Sequence, residues 1–347
     1  MSNSIVTINL VVYNGGKDIR QCLDSVLAQT HPHELIEVNI LDNASTDDTV
    51  QKINNWKLEI VNRKFKFNFI QSKKNLGMWP GQEELLKYSH GEYVVALSVD
   101  VVLDKDFIKN AVEIMEQDET IGGLQAKVYK YEFPFIQNTK YETLDTIGFE
   151  IFRSRRIVNI AHGEIDRGQY NSQREIFATE GAVPIYRRSA LEDCRLKNQN
   201  NKIVDHDYFW YGDDLDLPWR MRIFGWKQVY APSVIAYHDR KTTKGVAGGW
   251  KKFIKIRKAV PMFKRRLDWR NTTITIIKND FAVNLWRDWP YIFWRQIRLW
   301  AYFLLFEPPM FLEIFKVAKM LPTMLKRRKE IMQKARITAK DFRQWIR

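Results

Sequence analysis

The chain has 347 residues, of which 28% are charged and 45% are hydrophobic. This balance is that of a globular protein with one large core, or one core and a smaller appended unit, and it excludes a disordered chain. The two cysteines, Cys22 and Cys194, are far apart and match no metal-binding or redox spacing. They argue against a disulfide framework and favour a reducing compartment.

The excess positive charge is confined to the C-terminal part of the chain. The net charge is +14, but residues 251–347 hold 24 Lys and Arg against 7 Asp and Glu, whereas the first 250 residues hold 31 against 34. A basic segment of this kind binds an anionic surface, either a membrane or a nucleic acid.

The apolar runs predict a chain that lies on a membrane without crossing it. The first run, Ile5–Tyr13, lacks the basic residues and the cleavage site of a signal peptide. The longest uncharged apolar run of the basic segment, Leu299–Phe306, is far shorter than the roughly 20 residues that span a bilayer. We therefore expect a cytoplasmic protein, peripheral on the inner face of the cell membrane.

The first half of the chain alternates strand-like and helix-like segments. Helical spacing of apolar residues occurs at Ile19–Leu27 and again around Gln82–Ser89. This βαβα order predicts an α/β fold with a doubly wound, mostly parallel sheet. The predicted strands are the four runs rich in apolar and β-branched residues, Ile5–Tyr13, Val38–Leu41, Phe67–Gln71 and Tyr93–Val99.

Polar residues stand where these predicted strands end. Tyr13 and Asn14 close the first strand, Asp42 follows the second and Asp100 follows the fourth. Doubly wound sheets bind ligands beyond the carboxyl ends of their strands, so these side chains should meet at one edge. A carboxylate such as Asp100 can hold a hard cation there, which neutralises a diphosphate. The alternative for an isolated carboxylate is a helix N-cap or a loop residue.

Residues 122–238 show short strands, loops and one helix, near Asp214–Phe224. Three carboxylates stand at the start of this helix, Asp213, Asp214 and Asp216. Like charges this close raise the pKa of a carboxyl group toward that of a general base. The alternative is an acidic helix start stabilised by the helix dipole, and both interpretations can hold.

A histidine follows the apolar run Val234–Ala236, in the stretch Tyr237-His238-Asp239. A neutral imidazole at a strand's end can complete a metal shell that a carboxylate begins. The alternative is a histidine that is satisfied by ordinary surface or core contacts. His238 becomes a candidate ligand only together with Asp100.

The segment 251–347 is rich in aromatic residues as well as basic. Phe281–Phe306 interleaves tryptophan with arginine, the mixture that settles at lipid headgroups. After the break at Pro308-Pro309, Met310–Leu325 resumes an apolar face, and Lys326–Lys329 adds a cationic cluster that anionic lipids attract. The alternatives are helices that pack on the rest of the chain, or an RNA-binding tail, which the acidic first 250 residues argue against.

Taken in order, several stretches resemble glycosyltransferase family two. Its donor-binding half is resembled by Val11-Val12-Tyr13-Asn14, Leu41–Asp47 and Asn75–Gly81. Phe177–Ala182 and Tyr186–Leu191 resemble its acceptor-side segment, and Gly212–Arg220 with Gly225-Trp226 resembles its acidic helix start. Val234–His238 and Arg270-Asn271 close the series. The match covers residues 5–280, and its strength lies in the ordered set. The nearest branch is rhamnosyltransferase-like; its members usually build cell-surface polysaccharide on a lipid carrier.

The resemblance implies a GT-A fold for residues 1–250, with a nucleotide-sugar half at 1–120 and an acceptor half at 121–250. A basic, membrane-associating helical extension follows at 251–347. A divalent cation, Mg²⁺ or Mn²⁺, would be held by Asp100 and His238, and Asp214, or else Asp213, would be the general base. The donor is implied to be a dTDP, UDP or GDP sugar that binds at Val12, Tyr13, Asn14, Asp42, Asn75, Gly77 and Asp100.

The implied metal motif departs from the family's pattern. It reads Ser98-Val99-Asp100, whereas the family usually flanks the middle residue with two polar or acidic ones. Ser98 is a poor ligand, although the branch often has Asn at that place, which also leaves one carboxylate. The departure permits an inactive, scaffold-like member; the retention of Asp100, Asp214 and His238 together argues against it.

The residues and the resemblance together predict an inverting glycosyltransferase. A single carboxylate base without a covalent intermediate inverts the anomeric centre. The predicted acceptor is a hydroxyl of a glycan or lipid-linked glycan in cell-surface polysaccharide synthesis, and the branch suggests L-rhamnose as the donor sugar. An anionic membrane surface is the expected partner and no nucleic acid is expected; the linkage and the oligomeric state stay open.

Overall fold

The computed structural model describes residues 3–240, 254 and 257–347 of the chain. The boundary predicted between residues 250 and 251, and the start of the lysine-rich stretch that follows it, lie outside the described residues. Within the described residues, one mixed sheet forms the centre of the molecule, and four consecutive helices close the C-terminal end of the chain.

Parallel strands and their connecting helices build the first half of the chain. The strands are β1 (Val6–Val12), β2 (Ile36–Asp42), β3 (Lys66–Gln71) and β4 (Tyr93–Leu97). The helices are α1 (Ile19–Leu27), α2 (Thr49–Glu59), α3 (Met78–Leu86) and α4 (Phe107–Gln117). Every residue of β1, β2 and β4 is buried, because helices cover both faces of this half of the sheet. The predicted doubly wound α/β fold is confirmed.

The second half of the chain extends the same sheet with shorter strands. They are β5 (Val101–Leu103), β6 (Ile121–Lys130), β7 (Leu144–Thr146), β8 (Phe149–Ile151), β9 (Ile157–Asn159), β10 (Arg174–Glu175), β11 (Ile185–Arg187) and β12 (Lys227–His238). The strand order is β10-β12-β6-β11-β4-β1-β2-β3, with β5 beside β12 and β7 beside β6, while β8 and β9 pair separately. Strand β11 is antiparallel to both neighbours, which agrees with a sheet predicted to be mostly rather than wholly parallel. Helices α5 (Arg188–Asp193) and α6 (Asp216–Ile223) complete this half.

Strand register explains why the polar residues meet at one edge. In the parallel pairs, Val12 lies beside Asp42 and Leu10 lies beside Leu97. Strands β1, β2 and β4 therefore end at nearly the same level. The loops that follow them, which carry Asn14, Asn43 and Asp100, start from one edge, as expected.

The C-terminal helices share a core with the preceding residues. They are α7 (Met262–Asn279), α8 (Ala282–Phe306), α9 (Phe311–Lys334) and α10 (Ala339–Arg343). Phe342 stacks on Trp219 of α6 with ring centroids 5.7 Å apart, and both side chains are fully buried. The alternative that these helices pack on the rest of the chain is correct for all four of them, and α8 in addition exposes an apolar face.

Buried ion pairs tie the C-terminal helices to the sheet. Lys278 of α7 is fully buried and binds both Asp205 and Asp216, with 2.9 Å between its Nζ and Asp216 Oδ1. Arg155 is also fully buried and binds Asp280 and Asp288. Breaking such a pair leaves a charge without a partner in a low dielectric, so these contacts fix how the helices sit.

Helix α8 turns polar residues inward in its first part and buries Tyr302 and Phe303 near its end, while an apolar face points outward. Asn284 and Asp288 are buried, and Asp288 binds Arg153, Arg155 and Arg343. Apolar residues at alternating intervals of three and four are exposed on the other side, and we call them the apolar stripe: Val283, Trp286, Pro290, Phe293, Ile297, Trp300 and Leu304. Trp286 is 79% exposed and Phe293 is 53% exposed, the reverse of an ordinary surface helix.

The cationic cluster predicted at Lys326–Lys329 is divided by the fold. Arg327 is buried and binds Asp205 and Asp207, and Arg328 donates to the carbonyl of Ile277 at 2.6 Å. Only Lys326 and Lys329 stay exposed, because the helix period turns the middle two residues inward. None of the helices described here is both long and apolar enough to cross a bilayer.

Candidate functional site

A cleft of about 1210 Å³ opens at the polar edge of the sheet. The loops after β1, β3 and β4 form one side of it, and residues from α7 and α8 form another. The candidate residues that line it are Tyr13, Asn14, Asn75, Gly77, Asp100, Asp213, Asp214 and His238. Residues that are 225 positions apart in the chain, such as Tyr13 and His238, are thus brought to one cavity.

Asparagine side chains brace the loops after β1, β2 and β3, on the predicted donor side of this cleft. Asn14 has a positive φ of 50° and accepts a hydrogen bond from the Thr46 amide at 2.8 Å. Asn43 donates to Asn75 Oδ1 at 2.9 Å and accepts from the Leu76 amide at 2.8 Å. The loops after β1, β2 and β3 are thereby joined in series. Sequence reasoning missed Asn43, although its place directly after Asp42 at a strand's end could have suggested it.

Gly77 lets the loop after β3 lie close to the backbone of Phe209 in the second half of the chain. Its φ is +94°, and a Cβ at this position would lie 2.2 Å from the carbonyl oxygen of Phe209. A side chain is therefore excluded both by the backbone conformation and by the neighbour. Gly77 shapes the cleft through its backbone and its lack of a side chain.

Two of the predicted donor-binding residues lie beneath the cleft. Val12 is 1% exposed and belongs to the core of the sheet. Asp42 is 3% exposed, and its Oδ1 accepts from the Ser45 amide at 3.1 Å. Neither residue contributes to the lining of the cleft among the described residues.

Asp100 and His238 meet at the cleft, as the sequence suggested. His238 Nε2 lies 3.5 Å from Asp100 Oδ1, and His238 Nδ1 lies 2.9 Å from Asp145 Oδ2. Burial opposes the charged imidazolium, but the Asp100 charge and the hydrogen bonds to both carboxylates outweigh it and raise the pKa of His238 to about 10. Asp145 is fully buried and was not identified from the sequence.

Asp145 organises the residues around His238. Its other oxygen accepts from Arg240 Nε at 2.6 Å, and Arg240 reaches on to Glu180 at 2.7 Å. Burial by itself raises the pKa of the Asp145 carboxyl, but hydrogen bonds from His162 and His238 hold it well below its usual range. A permanently charged carboxylate behind His238 fixes the ring orientation and points Nε2 toward Asp100.

The donor set of this pair fits a divalent cation. The carboxylate oxygen suits Mg²⁺ or Mn²⁺, and His238 could add its Nε2 as a ligand once the cation had displaced the proton that the raised pKa keeps on the ring. Metal-binding histidines commonly have a carboxylate behind the ring. Ligand atoms about 2.1 Å from a cation stand about 3 Å or more apart, so a 3.5 Å separation is compatible with shared coordination. No cage of three or more His, Cys, Asp or Glu side chains occurs in the described parts of the chain. Two protein ligands would leave positions for a diphosphate and water.

The three carboxylates at the start of α6 have different surroundings. Asp213 is 7% exposed, Asp214 is partly exposed to the cleft, and Asp216 is buried at 2%. Asp216 accepts from Arg220 Nε at 3.0 Å and also binds Lys278. Burial opposes its charge, but these two cations lower its pKa to about 2. The expectation that crowding raises the pKa of these carboxyls is therefore wrong for Asp216, because buried cations neutralise it.

The loop before these carboxylates is held in place by Asn271 of α7. Tyr211 has a positive φ of 61°, which an L-residue adopts at a cost of about 1 kcal/mol or more. The Asn271 amide donates to the carbonyls of Trp210 and Tyr211, at 2.9 and 2.6 Å. The Arg270-Asn271 stretch, identified by resemblance, thus positions the loop that leads into Asp213 and Asp214.

Gly181 lies directly against Asp214. A Cβ at Gly181 would be 2.5 Å from Asp214 Cβ and 3.0 Å from its Oδ2. Glu180 next to it is held by Arg240, so the Asp145 and Asp214 regions are joined through Glu180-Gly181. The site therefore has a candidate cation-binding pair, Asp100 and His238, and a partly exposed carboxylate, Asp214, which line one cavity.

Comparison with known families agrees with this architecture. The model for glycosyl transferase family 2 matches residues 7–195, which contain Asp42, Asp100 and Glu180-Gly181. The chain belongs to glycosyltransferase family 2. The acidic start of α6 and His238 lie beyond the matched part, and it is the fold that brings them to the same cleft.

Relatives and solved structures of this family resemble the chain at low identity. Poly-beta-1,6-N-acetyl-D-glucosamine synthase of Staphylococcus epidermidis is 24% identical over 302 residues, covering 87% of this chain and 60% of the relative. The chain thus spans less than two thirds of that protein's length.

Two solved structures share the fold over most of the chain. The mannosyltransferase PcManGT from Pyrobaculum calidifontis, in complex with GDP-Man and Mn²⁺, has a TM-score of 0.54 at 17% identity, covering 96% of this chain and 86% of its own. Residues 1–349 of S. aureus TarS, in complex with UDP, have a TM-score of 0.51 at 17% identity, covering 98% and 91%. At such identities the likeness shows the GT-A fold.

Proposed function

We propose that this family 2 member transfers a sugar from a nucleoside-diphosphate donor to a hydroxyl group of a glycan or lipid-linked glycan, with inversion. The product would belong to a cell-surface polysaccharide. The observation that carries the proposal is the partly exposed Asp214, which shares one cleft with the Asp100–His238 pair. The bound ligands of PcManGT and TarS, GDP-Man and UDP, support a donor of this class.

The donor would lie across the braced loops of the cleft. Tyr13, Asn14, Asn75 and Gly77 line the part that follows β1 and β3, where nucleotides bind in doubly wound sheets. Val12 and Asp42 would act from beneath, by holding the loops that carry Asn14 and Asn43. We keep Asp42 as a donor-site residue in this supporting sense, because its carboxylate is already bonded to the Ser45 amide.

Asp100 and His238 would place the diphosphate of the donor. A Mg²⁺ or Mn²⁺ bound there would offset the negative charge that develops on the leaving nucleoside diphosphate. The protein's own part is to hold His238 through Asp145 with Nε2 toward Asp100. The Mn²⁺ in the PcManGT complex supports a divalent cation in this fold.

Asp214 would be the general base. It is the more exposed member of the Asp213–Asp214 pair, and it faces the cleft beside Gly181. Its carboxylate would take the proton from the acceptor hydroxyl while that oxygen attacks the anomeric carbon. A single displacement without a covalent intermediate inverts the anomeric centre. Asp213 is buried and would support the loop.

The apolar stripe of α8 would hold the protein on a membrane surface. Exposed tryptophan and phenylalanine side chains settle at the headgroup level, and a helix with such a face lies in the interface plane. Trp286, Phe293 and Trp300 of the stripe are exposed, while the polar face of α8 is occupied by the rest of the protein. We propose peripheral attachment to the cytoplasmic face, close to a lipid-linked acceptor.

A donor-hydrolysis screen tests the proposed function. dTDP, UDP and GDP sugars, including rhamnose, N-acetylglucosamine and mannose donors, are incubated with the protein, with and without Mg²⁺ or Mn²⁺. We expect release of the nucleoside diphosphate from one donor class, only when a divalent cation is present. No turnover of any donor would point to an inactive scaffold, and full turnover in EDTA would remove the role of Asp100 and His238.

Liposome flotation beside an RNA mobility-shift assay tests the membrane proposal. We expect the protein to float with vesicles that contain anionic lipid and to leave RNA unshifted, since the donor side of the cleft is acidic. An RNA shift without flotation would favour the RNA-binding alternative.

A further inference from the structure

Two arginines from separate elements line the cleft. Arg295 belongs to α8, and Arg156 lies in the turn between β8 and β9. Arg156 is exposed and Arg295 is partly exposed. Within residues 3–240, 254 and 257–347, neither guanidinium group takes part in an ion pair or a hydrogen bond.

The other arginines that line the cleft are already neutralised, and Lys264, which also lines it, lies over the rings of Trp210 and Tyr211. Arg257 and Arg265 both bind the carboxylate of Glu307, with 2.8 Å between Arg257 Nη2 and Glu307 Oε2. Arg240 binds Asp145 and Glu180. Among the arginines of the cleft, Arg156 and Arg295 therefore differ from the others in having guanidinium donors to offer to a ligand.

The surroundings of Arg295 disfavour its own charge. Partial burial lowers the pKa of its guanidinium to about 10; Asp268 opposes this shift, while Arg156 and Arg298 add to it. A bound anion would stabilise the charged form of Arg295 more than that of an ordinary surface arginine, because the anion would also offset the repulsion from Arg156 and Arg298.

We infer that Arg156 and Arg295 form a subsite for a phosphate group on the acceptor. The inference rests on the proposed function and adds the chemical class of the acceptor. A guanidinium group can donate two parallel hydrogen bonds to two oxygens of one phosphate. Two guanidinium groups from different elements could therefore hold a phosphate or diphosphate ester between them. In this proposal the donor's diphosphate binds at Asp100 and His238, and the acceptor's phosphate binds at the two arginines of α8 and the β8–β9 turn.

Helix α8 joins this subsite to the apolar stripe. Arg295 stands between Phe293 and Ile297 of the stripe, but on the side of the helix that lines the cleft. A phosphate carried by a membrane lipid would therefore reach Arg295 when the stripe rests on the headgroups. A phosphate within a soluble glycan polymer has the same chemistry, and the experiment below distinguishes the two sources.

The test uses inorganic pyrophosphate as the probe, titrated by calorimetry into the whole protein in EDTA. Without a divalent cation, the proposed metal-dependent site for the donor diphosphate is not complete, and the difference between wild type and an arginine variant reports on the arginines. Wild type is compared with the double variant Arg156→Gln, Arg295→Gln. The matched control is Arg298→Gln, an exposed arginine of the same helix outside the cleft lining. Circular dichroism checks that each variant is folded.

We expect the double variant to bind pyrophosphate about tenfold or more weakly, the loss of at least one charge-assisted contact. Arg298 acts on Arg295 only through its charge, so Arg298→Gln should lose far less affinity than the double variant does. Equal affinities of wild type and double variant would overturn the subsite, as would an equal loss in Arg298→Gln, which would indicate diffuse attraction to the basic segment.

Vesicles separate the two sources of phosphate. Phosphatidylcholine vesicles containing phosphatidic acid present a phosphate monoester, and vesicles with phosphatidylglycerol at matched surface charge do not. A preference for phosphatidic acid that the double variant loses supports a lipid phosphate. Loss of pyrophosphate binding without such a preference supports a soluble phosphorylated acceptor.

Donor hydrolysis by the wild-type protein is scored separately. Pyrophosphate binding as expected without turnover of any donor would sink the proposed function and leave the anion subsite standing. Turnover of a donor, together with equal pyrophosphate affinities of wild type and double variant, would support the proposed function and overturn the anion subsite.

Discussion

Gly181 and Asp214 touch so closely that any larger residue at 181 must move the carboxylate. A methyl group at Gly181 would meet Asp214 Cβ at 2.5 Å, well inside van der Waals contact. Gly181 also follows Glu180, which Arg240 and the Ala182 amide hold in place. The position of the proposed base therefore depends on the absence of a side chain on a neighbouring loop.

Gly181→Ala should lower kcat while the protein stays folded. A displacement of about 1 Å in a catalytic group can cost about 100-fold in rate, and we expect a loss of that order. Initial rates of sugar transfer or donor hydrolysis measure it. The control is Gly91→Ala, where a Cβ would press on the Thr7 backbone outside the cleft. That variant should lower the melting temperature and leave kcat near wild type; the same result for Gly181→Ala would contradict the packing argument.

Asp214→Asn should remove the base and leave the donor site intact. We expect turnover to fall by about 100- to 10,000-fold, the usual contribution of general-base catalysis. Donor affinity, measured by calorimetry with a divalent cation, should stay close to wild type. Asp216→Asn is the matched control, because Asp216 is buried between Arg220 and Lys278 and should affect stability first. Near-wild-type turnover in Asp214→Asn would exclude it as the base.

Asp145→Asn should weaken the binding of a divalent cation. Asp145 orients His238 through a 2.9 Å contact to Nδ1, and removing such a carboxylate typically costs about 10- to 100-fold in metal affinity. Direct titration with Mn²⁺ measures the affinity, and the Mn²⁺ concentration for half-maximal turnover gives a second value. Asp166→Asn, which breaks a contact to Lys127 outside this group, is the control. Unchanged Mn²⁺ affinity in Asp145→Asn would show that Asp145 has no positioning role.

Removing two side chains of the apolar stripe should weaken membrane attachment. The double variant Trp286→Ala, Phe293→Ala should partition about tenfold or more weakly onto anionic vesicles, since burying a large apolar side chain contributes about 1.5–3 kcal/mol. Flotation over a range of lipid concentrations measures the partition coefficient. Leu58→Ala with Val61→Ala removes exposed apolar residues outside the stripe and should have no effect. Equal flotation of all proteins would assign the attachment to charge alone.

Lys278→Met should destabilise the fold strongly. The Lys278 ammonium is fully buried between Asp205 and Asp216, and its removal leaves two buried carboxylates short of a cation. Breaking a buried pair from one side costs about 3–5 kcal/mol in the free energy of unfolding, measured by urea titration. Lys87→Met removes an exposed partner of Glu84 and should cost at most about 1 kcal/mol. A similar small loss in both variants would mean that the buried network contributes little.

The sequence predicted the elements whose signals are local. The buried apolar runs of β1, β2 and β4 are readable because strands covered on both faces need continuous apolar side chains. Since parallel strands end together, the same pattern also predicts that Asn14 and Asp100 lie at one edge of the sheet. Helix α3 was placed a few residues too late, because Pro80 in its first turn resembles a loop signal.

Local patterns were a poor guide to the role of charged residues. Asp213, Asp214 and Asp216 look alike in sequence, yet only Asp214 keeps a partly exposed position in the cleft. Arg327 and Lys326 likewise look equivalent, but one is buried against Asp205 and the other is exposed. What a charge does depends on its solvation and its partners, and both are set by distant parts of the chain.

By itself, then, the sequence determined the α/β class, the polar edge of the sheet and the candidate pair Asp100 and His238. Tertiary structure alone decided that Asp145, 93 residues before His238, stands behind its ring, that Gly181 packs on Asp214, and that Arg295 reaches the cleft. The physical reason is the sequence distance over which each signal acts. The periodicity of a segment shows which of its faces is buried, whereas contacts between residues far apart in sequence depend on how the elements pack together.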